Sequence, residues 1–244
     1  ESRDIFDVMG VNTQKQLQQL ERLYQRELAD KLMSSGVTIC DRDRVDIRGR
    51  LVCGRNVHID VNVVFEGEVL LGDNVKIGAH CVLKNAVIGS GTIIEPFSYI
   101  EDSEAKQRVQ MGPFARVRNG TVIGNDAKVG NFVEVKNTRI ASGAKANHLA
   151  YLGDAAIGVS ANIGAGTITC NYDGAAKHRT EIGEDVLIGS NSTLIAPIKI
   201  GSGGFVAAGS VVTDDVESNQ LAVARGKQHN VDGWQRPSKP KDGS

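Results

Sequence analysis

Apolar residues recur at three- and four-residue steps early in the chain, at Leu17, Leu20, Tyr24, Leu28 and Leu32, the spacing of one helical stripe. Thr13 with Gln16 forms a capping box ahead of it, and Gly36 stops it, so the pattern predicts a helix over 13–34. At 1.5 Å per residue such an arm is roughly 33 Å long. A single stripe implies that it lies on a neighbouring domain or subunit.

From about residue 47 the period changes. An aliphatic residue is followed by Gly, four more residues pass, and the unit restarts, as at Leu71-Gly72, Ile77-Gly78, Ile123-Gly124, Val129-Gly130, Ile157-Gly158, Ile163-Gly164, Ile182-Gly183 and Ile188-Gly189. Four places after the aliphatic comes a small or β-branched residue, among them Val75, Cys81, Thr92, Ala127, Val133, Ala161, Thr167, Val186 and Ser192. Such hexads predict a parallel β-helix in which each hexad is a short strand plus a corner and three make a triangular coil. Inward aliphatics stack on their equivalents because no coil buries its own face, and Gly and Asn relieve corners that need left-handed backbone angles. The count is about eight coils, a prism of roughly 40 Å at the usual strand spacing.

Two segments break the rule, 101–110 (EDSEAKQRVQ) and 170–181 (CNYDGAAKHRTE). Both are expected to loop out of the prism, and excursions from a regular scaffold carry function.

Composition narrows the functional classes. The 28 glycines and 5 % aromatics suit tight repetitive turns, and a net charge of −1 removes the electrostatic case for a nucleic-acid partner. The basic tail (Lys227, Arg236, Lys239, Lys241) reads as a solvated end. Cys40, Cys53, Cys81 and Cys170 lack C-x-x-C spacing and read as free cytosolic thiols. No apolar run approaches the roughly 18 residues of a membrane span, so no membrane partner is expected and the location is read as cytoplasmic. The opening Glu1-Ser2-Arg3 suggests a piece of a longer chain.

The strings GPFARVRNG (112–120), VGNFVEVKN (129–137), NHLAYLGDA (147–155), NIGAGTITCNYDG (162–174) and AVARGKQHNVDGWQRP (222–237) resemble the acetyltransferase half of the bifunctional N-acetylglucosamine-1-phosphate uridyltransferase/glucosamine-1-phosphate acetyltransferase family, within the hexapeptide-repeat acyltransferases. The resemblance covers essentially the whole chain. It implies an all-β, left-handed parallel β-helix behind a helical arm, with 1–12 a remnant of a uridyltransferase domain, 13–36 the linker arm, 37–225 the acetyltransferase domain and 226–244 a tail. It also implies a homotrimer, acetyl-CoA as co-substrate and glucosamine 1-phosphate as acceptor, on the route to UDP-N-acetylglucosamine and the cell wall. Mg2+ would serve only the missing uridyltransferase half, whose metal ligand Asn12 resembles; here Asn12 reads as structure at the helix start.

Carried over by motif, the sugar-phosphate ligands are Arg118, Lys136, Lys177, Tyr151 and Asn162, and the general base is His148. Acetyl-CoA contacts fall on Ala165, Asn171, Tyr172, Ser190, Ala208 and Arg225. Asn119 departs from the Pro usual in the family, which alters corner stiffness more than chemistry.

The repeat register bears on this transfer. Arg118 and Lys136 each follow an inward aliphatic of consecutive coils, so they stack one strand spacing apart, and a phosphate between them is the natural explanation. A solvated basic ladder partnered by Glu134 is the rival reading. His148, Ala165, Ser190 and Ala208 each lie two places beyond an inward residue, forming one column for a CoA arm. Histidine can accept the proton that a sugar amine loses on attacking a thioester. A backbone N–H near Ser190 is the candidate oxyanion donor, and Glu134 is a candidate to orient the base or the substrate. No Cys falls at the site by this reading, so transfer should be direct. Histidines 58, 80, 148, 178 and 229 occupy different hexad positions, unlike a three-histidine zinc site. A non-enzymatic β-helix and an acyltransferase with another amine or hydroxyl acceptor remain as alternatives.

Overall fold

The protein, described here over residues 10–236 of a computed structural model, opens with helix α1 (Gln14–Ser34). Residues 1–9, within the expected remnant 1–12, lie outside the described residues, as do 237–244 of the tail with Lys239 and Lys241. The Thr13 hydroxyl accepts the Gln16 N–H at 3.2 Å, and the Gln16 side chain accepts the Asn12 N–H at 2.9 Å, satisfying donors that a helix start leaves unpaired.

The helix buries only the end of its apolar stripe, where half-buried Leu28 and Leu32 pack against the core. Leu17 and Tyr24 stay about half exposed, at 48 % and 54 %, while Gln25 and Ala29 are buried. The Gln25 amide donates to Ile47 O at 3.0 Å and accepts from Ile47 N at 2.7 Å. It thereby supplies the hydrogen bonds that a preceding strand would have given Val45–Cys53, which pairs on one side only. A helix laid over the open end blunts a sheet edge.

The remainder is a left-handed parallel β-helix. One face stacks eleven strands, from Thr38–Ile39 to Leu221–Ala222. The other two faces share a 15-stranded sheet, because Val45–Cys53, Val63–Leu71, Val82–Ile88 and Tyr99–Ala105 run unbroken round their common corner. Eleven levels make the stack longer than the eight coils expected, roughly 48 Å at the usual spacing.

The stack begins at Thr38–Ile39, ahead of the expected start, and part of its extra length has a further cause. The segment 101–110, expected to loop out, continues the ladder: Tyr99–Ala105 pairs with Val82–Ile88 and then with Val122–Ile123. Its inward positions hold Ser103 and Ala105, both buried, so the coil is regular while its aliphatic signal is weak. The second excursion does leave the ladder, over 171–179, between Ile168–Cys170 and Thr180–Ile182.

Inside, the hexad rule holds. The second-position residues from Val75 to Ser192 quoted above are each at most 1 % exposed, and they alternate with aliphatics such as Ile123, Val129, Ile163 and Ile188 that are at most 2 % exposed. Gly and Asn do not account for every corner. Leaving the eleven-stranded face, His80, Phe97, Phe114 and Phe132 hold φ between 55° and 62°, and their rings stack at centroid spacings of 4.8 to 5.2 Å. Stacking worth about 0.5–1.5 kcal/mol per pair offsets much of the roughly 1–2 kcal/mol cost of each left-handed residue.

Candidate functional site

The corner between the second and third faces carries a column of cations. Val117 and Val135 are register partners and the Arg118 N–H donates to Val135 O at 2.8 Å, so Arg118 and Lys136 project from the same place on successive coils. Lys177 reaches them from the loop 171–179. Its ammonium, and then Arg118, push Lys136 below the ordinary lysine range, against a smaller opposing pull from Asp154. Glu134 binds Arg118 at 2.7 Å and Asp154, whose oxygens are taken by Asn137 and Asn171, acts on Lys136 more weakly, leaving three cations against two carboxylates. A buried Arg118 Nε is a further donor, without a partner among the described residues.

The loop that delivers Lys177 is held by its own bonds. Asp173 accepts the Ala175 and Ala176 N–H groups at 2.8 and 2.7 Å and pairs with His178 Nε2 at 2.7 Å. The Ala176 N–H, His178 and the Ala175 N–H together hold the Asp173 carboxyl well below the usual carboxylate range. At the loop base Asn171 donates to Asp154, whose other oxygen accepts from Asn137 at 2.5 Å. Behind it lies a cleft of about 600 Å³ lined by Asp154, Lys177, His178, Arg139 and Arg179. Neither of those two arginines pairs with a carboxylate among the described residues.

Gly153 is the register partner of Lys136. A Cβ there would fall 2.5 Å from the Tyr151 hydroxyl and 2.8 Å from the Asn171 amide nitrogen. Tyr151 therefore lies along the second face with its hydroxyl at the cationic corner. Gly153 went unread in the sequence, because its purpose is the space it leaves.

At the opposite corner of the second face, Ala146, Ile163, Ile188 and Val206 are successive register partners, so His148, Ala165, Ser190 and Ala208 stand in one column. Arg225 donates to Ala208 O at 2.8 Å, tying the tail to that column. His148 is exposed, and its Nδ1 lies 3.0 Å from Asn131 Oδ1. Asn131 had no role in the sequence reading; counting one coil back from His148 would have found it.

Several expectations change. Glu134 is on Arg118 and does not orient His148, whose ring partner is Asn131. Ser190 stands two strand spacings from His148 within the chain, about 9.6 Å. Its backbone N–H has no acceptor among the described residues. Asn171 and Tyr172 sit at the loop base beside the cationic corner, away from the Ala165–Ala208 column, and the Asn171 amide is taken by Asp154. Asn162 lies outward on the eleven-stranded face between Lys145 and Leu187, apart from the cations.

Cys170 also shifts. Tyr151 pairs with Ile168, and counting two places on from each puts Cys170 above Gly153, in the column of Lys136. Elsewhere burial pushes the Cys53 and Cys81 thiols up to about 11. Among the described residues no group of three His, Cys, Asp or Glu could hold a metal ion. No helix there is long and apolar enough to cross a membrane. Asn12 is exposed at the helix start.

Comparison with known proteins adds to this geometry. The chain is 54 % identical over 239 residues, 98 % of its length, to the bifunctional protein GlmU of Aromatoleum aromaticum. It is 55 % identical over 96 % of its length to that of Azoarcus sp. strain BH72, and 53 % identical over 97 % to that of Stutzerimonas stutzeri. The chain spans about half the length, 52 %, of these curated relatives. Family profiles match at 47–146 (GMPPB C-terminal domain) and 179–214 (bacterial transferase hexapeptide, six repeats). Among solved structures, LpxA from Acinetobacter baumannii superposes with a TM-score of 0.57 at 17 % identity, over 75 % of this chain and 69 % of that one, a likeness of fold alone.

Proposed function

The chain belongs to the family of the bifunctional protein GlmU, and on that premise we propose that it transfers the acetyl group of acetyl-CoA to the amine of glucosamine 1-phosphate. The observation that carries this reading is the cationic corner. Arg118, Lys136 and Lys177 outnumber the carboxylates beside them, Glu134 and Asp154, a charge excess that a sugar phosphate neutralises with charge-assisted hydrogen bonds. Residues 37–225 are then the acetyltransferase domain, with 13–36 as linker, 1–12 a remnant of the uridyltransferase half and 226–244 a tail; the working compartment is the cytoplasm.

In this mechanism the cations and the Tyr151 hydroxyl hold the sugar phosphate along the second face. His148 Nε2 takes the proton that the amine loses as nitrogen bonds to the thioester carbon. As the C–S bond breaks, the proton passes to the departing thiolate, giving CoA and the N-acetylated sugar. The column Ala165, Ser190, Ala208 with Arg225 offers small side chains and backbone to the CoA arm; Asn171 and Tyr172, off that column in the same copy, would meet the CoA arm, and Asn162 the sugar phosphate, of an adjoining copy. The exposed ladder of Phe97, Phe114 and Phe132, 46 to 55 % accessible, is an apolar surface of the kind that marks interfaces. It supports assembly as a homotrimer, in which the Ser190 N–H of one copy would serve a site built on the His148 of another.

The test is CoA release from acetyl-CoA with glucosamine 1-phosphate, against glucosamine and serine. Only the phosphorylated sugar should turn over rapidly, and His148→Ala should reduce kcat by about 10²–10⁴-fold with an unchanged circular-dichroism spectrum. Equal turnover of glucosamine sinks the phosphate reading; a His148→Ala rate within a few-fold of the parent sinks the base.

A further inference from the structure

The hydrogen bond between His148 and Asn131 is the polar side-chain contact that the proposed base makes within the chain. It follows from the stacking: the two residues are register partners on adjacent coils, so the carboxamide lies directly beneath the ring. An amide oxygen only accepts hydrogen bonds, so Oδ1 at 3.0 Å requires the imidazole proton on Nδ1. A neutral imidazole has one N–H, and placing it on Nδ1 leaves the lone pair on Nε2, the outer nitrogen.

Resting on the acetyltransferase reading above, we propose that Asn131 is the positioning residue of the reaction: it selects the Nδ1–H tautomer of His148 and aims Nε2 at the acceptor amine. Free histidine prefers the other tautomer, so the partner does chemical work that a bare exposed histidine lacks.

The neutrality of Asn131 is part of the assignment. A carboxylate in its place would stabilise the imidazolium and hold the base protonated to higher pH. The charged and titratable groups on the elements packed around His148 are Lys128 on the strand of Asn131, Lys145 on its own strand, and Glu134 and Tyr151 on the second face; Asn162–Ile163, on the next coil, brings none. Lys128 and Lys145 stand three residues back along their strands, and Glu134 is held by Arg118. The neutral amide is thus the group that orients the ring. His148 is exposed and Asn131 half-buried, where a hydrogen bond adds little to stability, so its loss should appear in catalysis and not in folding.

Three measurements test this on the full chain. Asn131→Leu should lower kcat by about 10–100-fold while KM for both substrates stays within about three-fold and the thermal midpoint within about 2 °C. Asn131→Asp, which keeps the acceptor and adds charge, should recover most of kcat at high pH and move the acid limb of kcat/KM upward by about one unit. Proton–nitrogen correlation spectra of His148, which need no turnover, should show the Nδ1–H tautomer in the parent and the Nε2–H form in Asn131→Leu. A kcat for Asn131→Leu within three-fold of the parent, an unmoved profile in Asn131→Asp, or an Nε2–H tautomer in the parent each overturns the proposal. An inactive parent with the Nδ1–H tautomer would instead overturn the acetyltransferase reading and leave the positioning geometry standing.

Discussion

The same interval along the chain builds two opposite electrostatic arrangements. In the N-terminal coils, residues eighteen apart bring arginine over carboxylate: Arg48 over Glu66, Arg50 over Glu68 and Arg55 over Asp73, with Arg108 over Asp126 just before the site. At the cationic corner that interval brings Arg118 over Lys136. The backbone of the two regions is the same, a parallel ladder one strand spacing apart, so the difference lies only in the choice of side chain. In the N-terminal coils these arginines meet carboxylates within the chain; at the corner cations outnumber carboxylates, and it is that excess on which the proposed phosphate binding rests. Lys136, pushed down by Lys177 and Arg118, registers that surplus, and the paired arginines Arg48 and Arg108 are shifted upward by their carboxylates.

Replacing one charge in each region should break the comparison most visibly. Lys136→Met is expected to raise KM for glucosamine 1-phosphate about 10–100-fold, the loss of a charge-assisted hydrogen bond, while Arg50→Met changes neither kcat nor KM more than two-fold. Equal effects from the two substitutions would mean that the surplus is ornamental.

A smaller effect comes from converting one region into the other. Lys136→Glu recreates the arginine-over-carboxylate ladder within the corner, so the ligand-free thermal midpoint should rise by about 1–3 °C. Tens of millimolar inorganic phosphate, expected to raise the parent's midpoint by about 2–4 °C, should then have no effect. Phosphate stabilising the Lys136→Glu protein as much as the parent would place anion binding elsewhere, with the cleft of Arg139 and Arg179 the first place to look.

The smallest effect concerns how Lys177 is presented. The folded Asp173 carboxyl lies well below its reference of 3.8, so its contribution to loop order is complete above that reference and is lost as pH falls through the depressed folded value. Limited proteolysis across 171–179 should therefore stay constant from neutral pH down to about pH 4 and increase below it. Asp173→Ala should show the increased cleavage at neutral pH and raise KM a few-fold. Unchanged cleavage in that variant would show that Tyr172, which donates to Gly174 O at 2.6 Å, holds the loop without it.

Much of this architecture was legible in the residues. Ile163 and Ile188 announce the prism because a local period of six puts the same side chain inward at every coil, and stacking them is the only way to remove them from water. The capping box at Thr13 and Gln16 was readable for the same reason, since its partners lie within one helical turn. The segment 101–110 misled because Ser103 and Ala105 are inward yet too small or polar to show in an apolar pattern. On the helix, Gln25 is buried while Leu17 is not, because what it meets is an unpaired strand edge that demands hydrogen bonds.

The sequence by itself determined the repeat, the core and which side chains are candidates for the chemistry, all properties of a residue and its near neighbours. Only the tertiary structure decided that Asn131 lies under His148, that Cys170 shares the column of Lys136, and that Ser190 stands two levels from the base. These depend on whether each coil closes in seventeen or eighteen residues, and on the loop 171–179 inserted between two coils, so they are set by the accumulated ladder of backbone hydrogen bonds.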